Sequence, residues 1–352
     1  MLKFALIGCG RIAKRHSELL GHNQIEGAKL SAVCDVEIAK AKRISEIFDV
    51  PAYADMDELM SNEDIDVAVV LTPSGLHAEN VINLSKYGKD IMVEKPMALT
   101  INDADAMIEA CDSNNCRLFI IKQNRFNVPV VKLRQAKEDG RFGKLILGTV
   151  RVRWARHQAY YDQANWRGTW AMDGGVLTNQ ASHHVDLLEY MMGEVESVFA
   201  RSSTALANIE AEDTAVVTMK FKSGALGIIE ATTAVRPKDL EGSISILGEK
   251  GSVVIGGFAV NKMETWQFSE PKDEDKNVLQ EFSVNPPNVY GFGHQAYYEH
   301  VVSCVLSSGQ NLVDGLQGRK SLELITAIYE SIETGKEVFL RFLPKKCRLG
   351  QK

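Results

Sequence analysis

Apolar positions in the first third of the chain come in short, nearly continuous runs within residues 4–7, 30–34, 67–71, 90–93 and 117–121. Between these runs apolar residues recur every three to four positions. Such runs predict strands buried on both faces, and the intervening period predicts amphipathic helices, the first over about 11–20. Strands separated by helices imply a parallel sheet covered on both sides. After Lys122 the pattern changes. One helix is expected around 130–138. Apolar and polar residues then alternate over 145–154, 214–221, 225–234, 243–247 and 252–255, which predicts an antiparallel sheet with one solvated face. Residues 177–192 and 295–306 keep a helical period, and the charged, Pro-containing stretch 270–288 reads as a loop. The expected architecture is α/β overall: a doubly wound parallel sheet over residues 1–122, then an α+β domain with an open, mostly antiparallel sheet over 123–352.

Composition narrows the function classes. The 352 residues are 45% hydrophobic and 24% charged, which excludes a disordered or fibrous chain. Forty Lys and Arg against 46 Asp and Glu leave a net charge of −6, so there is no general attraction to nucleic acid or anionic membrane. An anionic ligand must therefore meet a local group of cations. No apolar run approaches the roughly 20 residues that span a bilayer, and the chain enters a strand pattern at once, so a cytoplasmic protein is expected. The six cysteines, at 9, 34, 111, 116, 304 and 347, form no C-x-x-C pair and no zinc spacing. They read as reduced thiols, with no metal site expected.

Gly8-Cys9-Gly10-Arg11-Ile12-Ala13 follows the first strand and opens the first helix, the position a dinucleotide-binding G-x-G-x-x-A loop requires. Gly8 permits the turn, Gly10 lets a pyrophosphate approach the backbone, and Ala13 keeps the helix near the sheet. Asp35 ends the second strand, 22 residues beyond Ala13, where a carboxylate accepts from ribose hydroxyls and opposes a 2′-phosphate. NAD is thereby favoured over NADP, although Lys40 and Arg43 stand nearby. Glu94-Lys95-Pro96 lies at the carboxyl end of a buried strand, the ligand edge of an open α/β sheet; a Lys there can hydrogen-bond a reacting hydroxyl. Near the start of the 177–192 helix, Asn179, His183 and Asp186 are spaced i, i+4 and i+7, which places them on one helical face. A His beside a hydrogen-bonding neighbour suits proton abstraction from an alcohol. His184 points about 100° away from His183, and spacing alone does not say which of the two meets a substrate.

Together these strings resemble the Gfo/Idh/MocA oxidoreductases over nearly the whole chain. The resemblance implies an NAD-dependent dehydrogenase with a Rossmann domain, Lys95 and His183 as the catalytic pair, and His184 at a variable position. Asn179 departs from the Asp usual in inositol-type members, and a neutral amide cannot share the base role. Further strings point to the subgroup acting on UDP-N-acetyl-2-amino-2-deoxyglucuronate in bacterial surface-polysaccharide (LPS O-antigen) synthesis. These are Lys122-Gln123-Asn124-Arg125, Tyr160-Tyr161-Asp162, Trp166-Arg167-Gly168-Thr169-Trp170, Asn208 through Thr214, Leu240-Glu241-Gly242-Ser243 and Tyr290-Gly291-Phe292-Gly293-His294.

By this resemblance the cofactor set is Gly8, Gly10, Arg11, Ile12, Asp35, Thr72, Pro73, His77, Glu94, Lys95, Trp166 and Arg167. Substrate would be met by Lys95, Gln123, Asn124, Arg125, Tyr160, Tyr161, Asn179 and His183, with Arg125 and Arg167 as the anion grips and Lys122 as a further candidate. Tyr160, Trp166 and Trp170 read equally well as packing residues. The implied reaction is oxidation at sugar C3, in a homo-oligomer (tetramer or dimer), with 2-oxoglutarate as a candidate reoxidant of retained NADH. The rival readings are a family member acting on another sugar or polyol, or an NAD- and sugar-binding sensor without turnover.

Overall fold

The computed structural model describes residues 1–283, 292–307, 309, 311–340 and 347–350. Tyr290 and Gly291 of the Tyr-Gly-Phe-Gly-His string lie outside the described residues. The chain divides into two units, Met1–Ile121 with Gln295–Leu322, and Lys122–His294 with Glu323–Lys352.

In the first unit the strands are β1 (Leu2–Ile7), β2 (Ala28–Cys34), β3 (Ala52–Tyr53), β4 (Val67–Val70), β5 (Asp90–Val93) and β6 (Leu118–Ile120); five come from the five apolar runs, and the two-residue β3 was not expected. They form one parallel sheet in the order β3-β2-β1-β4-β5-β6. Every residue of β4 is fully buried, as a strand with helices on both faces demands. Strand order reverses between β2-β1 and β4, and such a switch point opens a crevice beyond the carboxyl ends of the strands. Both the Gly8–Gly10 loop and Leu71-Thr72 leave the sheet at that edge.

The expected single boundary at residue 122 is corrected by the return of Gln295–Leu322 to the first unit. Side-chain packing and a backbone hydrogen bond are among the interactions that hold this segment there. Tyr298, on the helix Gly293–Ser307, packs edge-on against Phe4, and Ile120 donates its amide to Val313. A local hydrophobic pattern carries no record of such distant pairing.

The second unit is built on an eight-stranded sheet of β7 (Leu145–Arg153), β8 (Val195–Ser203), β9 (Thr214–Phe221), β10 (Leu226–Thr232), β11 (Glu241–Gly248), β12 (Gly251–Gly256), β13 (Lys262–Phe268) and β14 (Val338–Phe339). Their order is β13-β12-β11-β7-β10-β9-β8-β14, and every pair is antiparallel except β10 with β7. Along β9 buried and solvent-facing residues alternate, one face inward and one out. The helix Ser182–Met192 covers the inner face, and Gly148 lets it approach: a Cβ there would lie 2.7 Å from both Leu188 and Met192. The sheet thus fixes the height of the helix that carries His183. Among the described residues, no helix is long and apolar enough to cross a membrane.

Candidate active site

In the first unit the glycine loop has the geometry a dinucleotide needs. Gly8 adopts φ +100°, and a Cβ on it would come within 2.8 Å of the Leu71 backbone, so only glycine fits the turn. Gly10 is different: a Cβ there would meet no protein atom within 4 Å. Protein packing does not demand this glycine, whereas the close approach of a phosphate group would. Arg11 is exposed beside it and Ile12 half-buried. Asp35 accepts from the Cys9 and Glu37 amides, 2.8 Å each, so one carboxylate ties the end of β2 to the glycine loop. These features fit a bound NAD.

Thr72 and Pro73 follow β4, with the Thr72 hydroxyl accepting from the Asn80 amide at 2.8 Å. His77 is buried, its Nδ1 2.7 Å from the Pro96 carbonyl and its Nε2 2.9 Å from the Thr72 carbonyl. The ring is therefore a strut between the two loops at the sheet edge, with both nitrogens engaged by backbone. Burial lowers its pKa against the pull of those carbonyls. Glu94 is also buried. Its carboxylate accepts from the Lys95 amide at 3.0 Å and meets His16 Nε2 at 3.2 Å, while His16 Nδ1 lies 2.7 Å from the Tyr298 hydroxyl. The sequence suggests Glu94 as a charge partner for Lys95; the structure adds that it holds the Lys95 backbone. Lys95 itself is half-buried.

In the second unit the Lys122-Gln123-Asn124-Arg125 string enters a 3₁₀ turn, and all four residues are buried. Asp186 accepts from Lys122 Nζ and, in a two-pronged contact at 2.7 Å, from Arg125 Nε and a terminal nitrogen. The Arg125 guanidinium also lies 4.3 Å from the centre of the Tyr190 ring. Burial alone would raise the Asp186 pKa, but the charges and hydrogen bonds of Arg125 and Lys122 outweigh it and hold the carboxyl well below its ordinary value. Arg125, one of the two expected anion grips, and Lys122, the further candidate, are thus engaged inside the protein.

Gln123 Nε2 lies 2.9 Å from His183 Nε2, so this turn also reaches the candidate base. His183 and Asp186 belong to the helix Ser182–Met192, but Asn179 stands in a separate π-helical turn, Val176–Gln180, and the 100° spacing that joined the three does not run through it. The Asn179 amide donates to Asp173, which also accepts from the Gly168 amide at 2.8 Å. Between the two histidines the choice is clear. His184 is wholly buried against Trp154, ring centres 5.8 Å apart, with no hydrogen-bond partner at either nitrogen among the described residues, and burial pulls its pKa down to about 3. His183 is the half-exposed one.

Arg167 donates to the Tyr160 hydroxyl at 2.7 Å, and its guanidinium lies 4.5 Å from the Tyr160 ring centre and 4.7 Å from that of Trp166. Arg156, which sequence reading passed over, approaches the same Tyr160 ring at 5.4 Å while pairing with Asp239 at 3.0 Å. Its signal was faint: a single Arg just beyond β7. Tyr161 packs edge-on against Tyr160, ring centres 5.1 Å apart. It is buried, with its hydroxyl 3.0 Å from Thr233, and serves packing.

Comparison with known proteins agrees with this geometry. Sequence profiles of one oxidoreductase family match twice: its NAD-binding Rossmann fold over residues 2–122 and its C-terminal alpha/beta domain over residues 134–340. A myo-inositol 2-dehydrogenase from Thermotoga maritima is 31% identical over 348 residues, covering 96% of this chain and 98% of its own. Two solved structures are similar throughout, both WlbA dehydrogenases in complex with NADH and UDP-GlcNAcA. That from Chromobacterium violaceum is 43% identical with a TM-score of 0.90, covering 96% of each chain. That from Bordetella pertussis is 40% identical with a TM-score of 0.88, covering 96% of this chain and 98% of the other. The chain belongs to the Gfo/Idh/MocA oxidoreductase family, with an NAD-binding Rossmann domain as its first unit.

Proposed function

We propose that this enzyme oxidises the C3 hydroxyl of UDP-N-acetyl-2-amino-2-deoxyglucuronate (UDP-GlcNAcA) to the 3-keto sugar, within bacterial surface-polysaccharide synthesis. The observation that carries this reading is the similarity, at 40% and 43% identity over 96% of the chain, to two dehydrogenases solved with that sugar and NADH. The neutral Asn179, in place of a second acid, supports it against a polyol dehydrogenase.

In this reading His183 takes the hydroxyl proton at Nε2, the nitrogen that Gln123 addresses in the structure. Lys95 donates to the same oxygen and favours the developing alkoxide, while Glu94 fixes the Lys95 backbone. Bound NAD supplies the acceptor for the hydride that leaves C3, so the C–O bond becomes a carbonyl with proton and electron pair both accounted for. Asn179 and Asn124 read sugar hydroxyls. Arg167, held on Tyr160 and Trp166, is the candidate for an anionic group of sugar or cofactor, because its rim of aromatic faces orients the guanidinium. Arg125 is assigned to Asp186 and acts on substrate only through the helix it steadies. The exposed apolar side chains Ile146, Val216, Leu226 and Ile228 on the open sheet suit a homo-oligomer contact.

The 31% identity to a myo-inositol dehydrogenase favours a second reading, oxidation of a free polyol. Incubation with NAD, 2-oxoglutarate and each candidate, followed by mass spectrometry, separates the two. A product lacking two hydrogens from UDP-GlcNAcA, with the missing pair at C3, supports the proposal. Conversion of myo-inositol alone overturns it.

A further inference from the structure

Glu212 lies in the Asn208–Thr214 string, and nothing in the dehydrogenase reading above uses it. Its side chain is buried beneath the π-helical turn Val176–Gln180. Oε1 accepts from the Leu177 amide at 2.9 Å and from the Tyr329 hydroxyl at 3.0 Å. That same hydroxyl is 2.8 Å from Thr178 Oγ1 and accepts from the Gly175 amide at 3.4 Å, while the Glu212 carbonyl accepts from Val176. Gly175 and the first three residues of the turn, Val176 through Thr178, are thus tied to Glu212 directly or through Tyr329. The fit is tight: a Cβ on Gly175 would lie 2.2 Å from both the Glu212 carbonyl and Oε2. Oε2 is buried and has no hydrogen-bond partner among the described residues.

With the donors from Leu177 and Tyr329 on Oε1, the protonated form carries its O–H on Oε2 and its carbonyl on Oε1. A carboxylate would leave charge on an oxygen that no donor reaches. The acidic groups facing it are Asp173, before the turn, and the adjacent Asp213, which is turned to the Ala205, Leu206 and Ala207 amides; from the helix Gly315–Thr334 it meets the phenol of Tyr329. The turn so held carries Asn179 and runs into the helix of His183.

We propose that Glu212 is a positioning residue, a neutral buried acid that fixes the π-helical turn leading to His183 and slackens it on ionisation. This rests on His183 being the base. Burial pushes the Glu212 pKa up to about 7, with the Leu177 amide and Tyr329 pulling it down and Asp173 pushing it up, so ionisation falls within the working range of the enzyme.

The test compares wild type, Glu212→Gln and Tyr329→Phe. Wild-type kcat is expected to fall by roughly tenfold as pH rises through the Glu212 titration, with KM for NAD little changed. Glu212→Gln, permanently neutral, should lose that fall. Tyr329→Phe removes a donor that favours the charged form, so its inflection should move to higher pH. NMR of the His183 ring, assigned by His183→Asn, reads the same event without any substrate: a second inflection near pH 7 in wild type, absent in Glu212→Gln. Superimposable pH profiles and a single His183 inflection in all three proteins would overturn the proposal. If no nucleotide sugar is turned over, the substrate assignment fails and the His183 titration still decides the role of Glu212. Should Glu212→Gln not fold, an unmoved inflection in Tyr329→Phe overturns it.

Discussion

Replacing Asp186 by Ala removes the carboxylate that accepts from both Lys122 and Arg125. The side chains of all three are less than a tenth exposed, at 4%, 5% and 8% for Asp186, Lys122 and Arg125. Water cannot take over the lost contacts, and two cations remain buried beside each other. Breaking such a group costs about 3–5 kcal/mol, whereas a surface pair would cost under about 1. At roughly 2–4 °C per kcal/mol for a unit of this size, the thermal midpoint should fall by roughly 6–20 °C. The sign with pH follows from the depressed Asp186 pKa: its contribution is complete above the ordinary carboxylate value, near 4, and disappears as pH falls through the folded value. Scanning calorimetry of wild type and Asp186→Ala at pH 7 and below pH 4 measures both effects, and the two midpoints should converge in acid. A drop under roughly 3 °C at pH 7 would show that the triad contributes no more than a surface pair and would refute the reasoning. Turnover should fall as well, because Gln123, on the anchored 3₁₀ turn, is the neighbour of His183.

Three further outcomes are expected. Asp35→Ala should weaken NAD binding by at least roughly tenfold and narrow the gap to NADP, since a ribose acceptor and a repulsion against phosphate are lost together; an unchanged NAD/NADP ratio of dissociation constants would place the acidic contact elsewhere. Lys95→Ala and His183→Asn should each lower kcat by roughly 10²–10⁴ with NADH binding intact by fluorescence titration, and near-normal turnover in either would remove that residue from the reaction. His184→Leu should keep its activity and lose no thermal stability, because it replaces a buried ring whose nitrogens have no partner; a marked fall in midpoint would mean the ring is hydrogen-bonded after all.

The fold was legible wherever burial alone decides structure. The run at 67–71 is wholly apolar, and that at 90–93 is apolar after Asp90, because β4 and β5 lie beneath helices on both faces, and the alternation at 214–221 is the in-and-out pattern of β9. Hydrophobic period failed at the site itself. It joined 177–192 into one helix because a π-helical turn shifts the phase without changing the apolar content, so the Asn179, His183 and Asp186 face was overdrawn. The role of Arg125 was equally hidden. Residue type marks a cation, but its partner Asp186 is 61 positions away, and only the fold brings them together. His183 over His184 came from resemblance; the structure supplies the physical reason, the wholly buried ring of His184 on Trp154.

Whether this acidic chain recognises a hexuronate through a placed cation such as Arg167 is decided by comparing kcat/KM for UDP-GlcNAcA and UDP-N-acetylglucosamine. The two sugars differ only in a C6 carboxylate against a hydroxyl. A charge-assisted hydrogen bond worth about 1.5–3 kcal/mol corresponds to a preference of roughly ten- to 150-fold for the uronate. NADH formation, with a 2-oxoglutarate-coupled assay for cofactor that stays bound, should give that ratio. Equal rates on the two sugars would contradict the account.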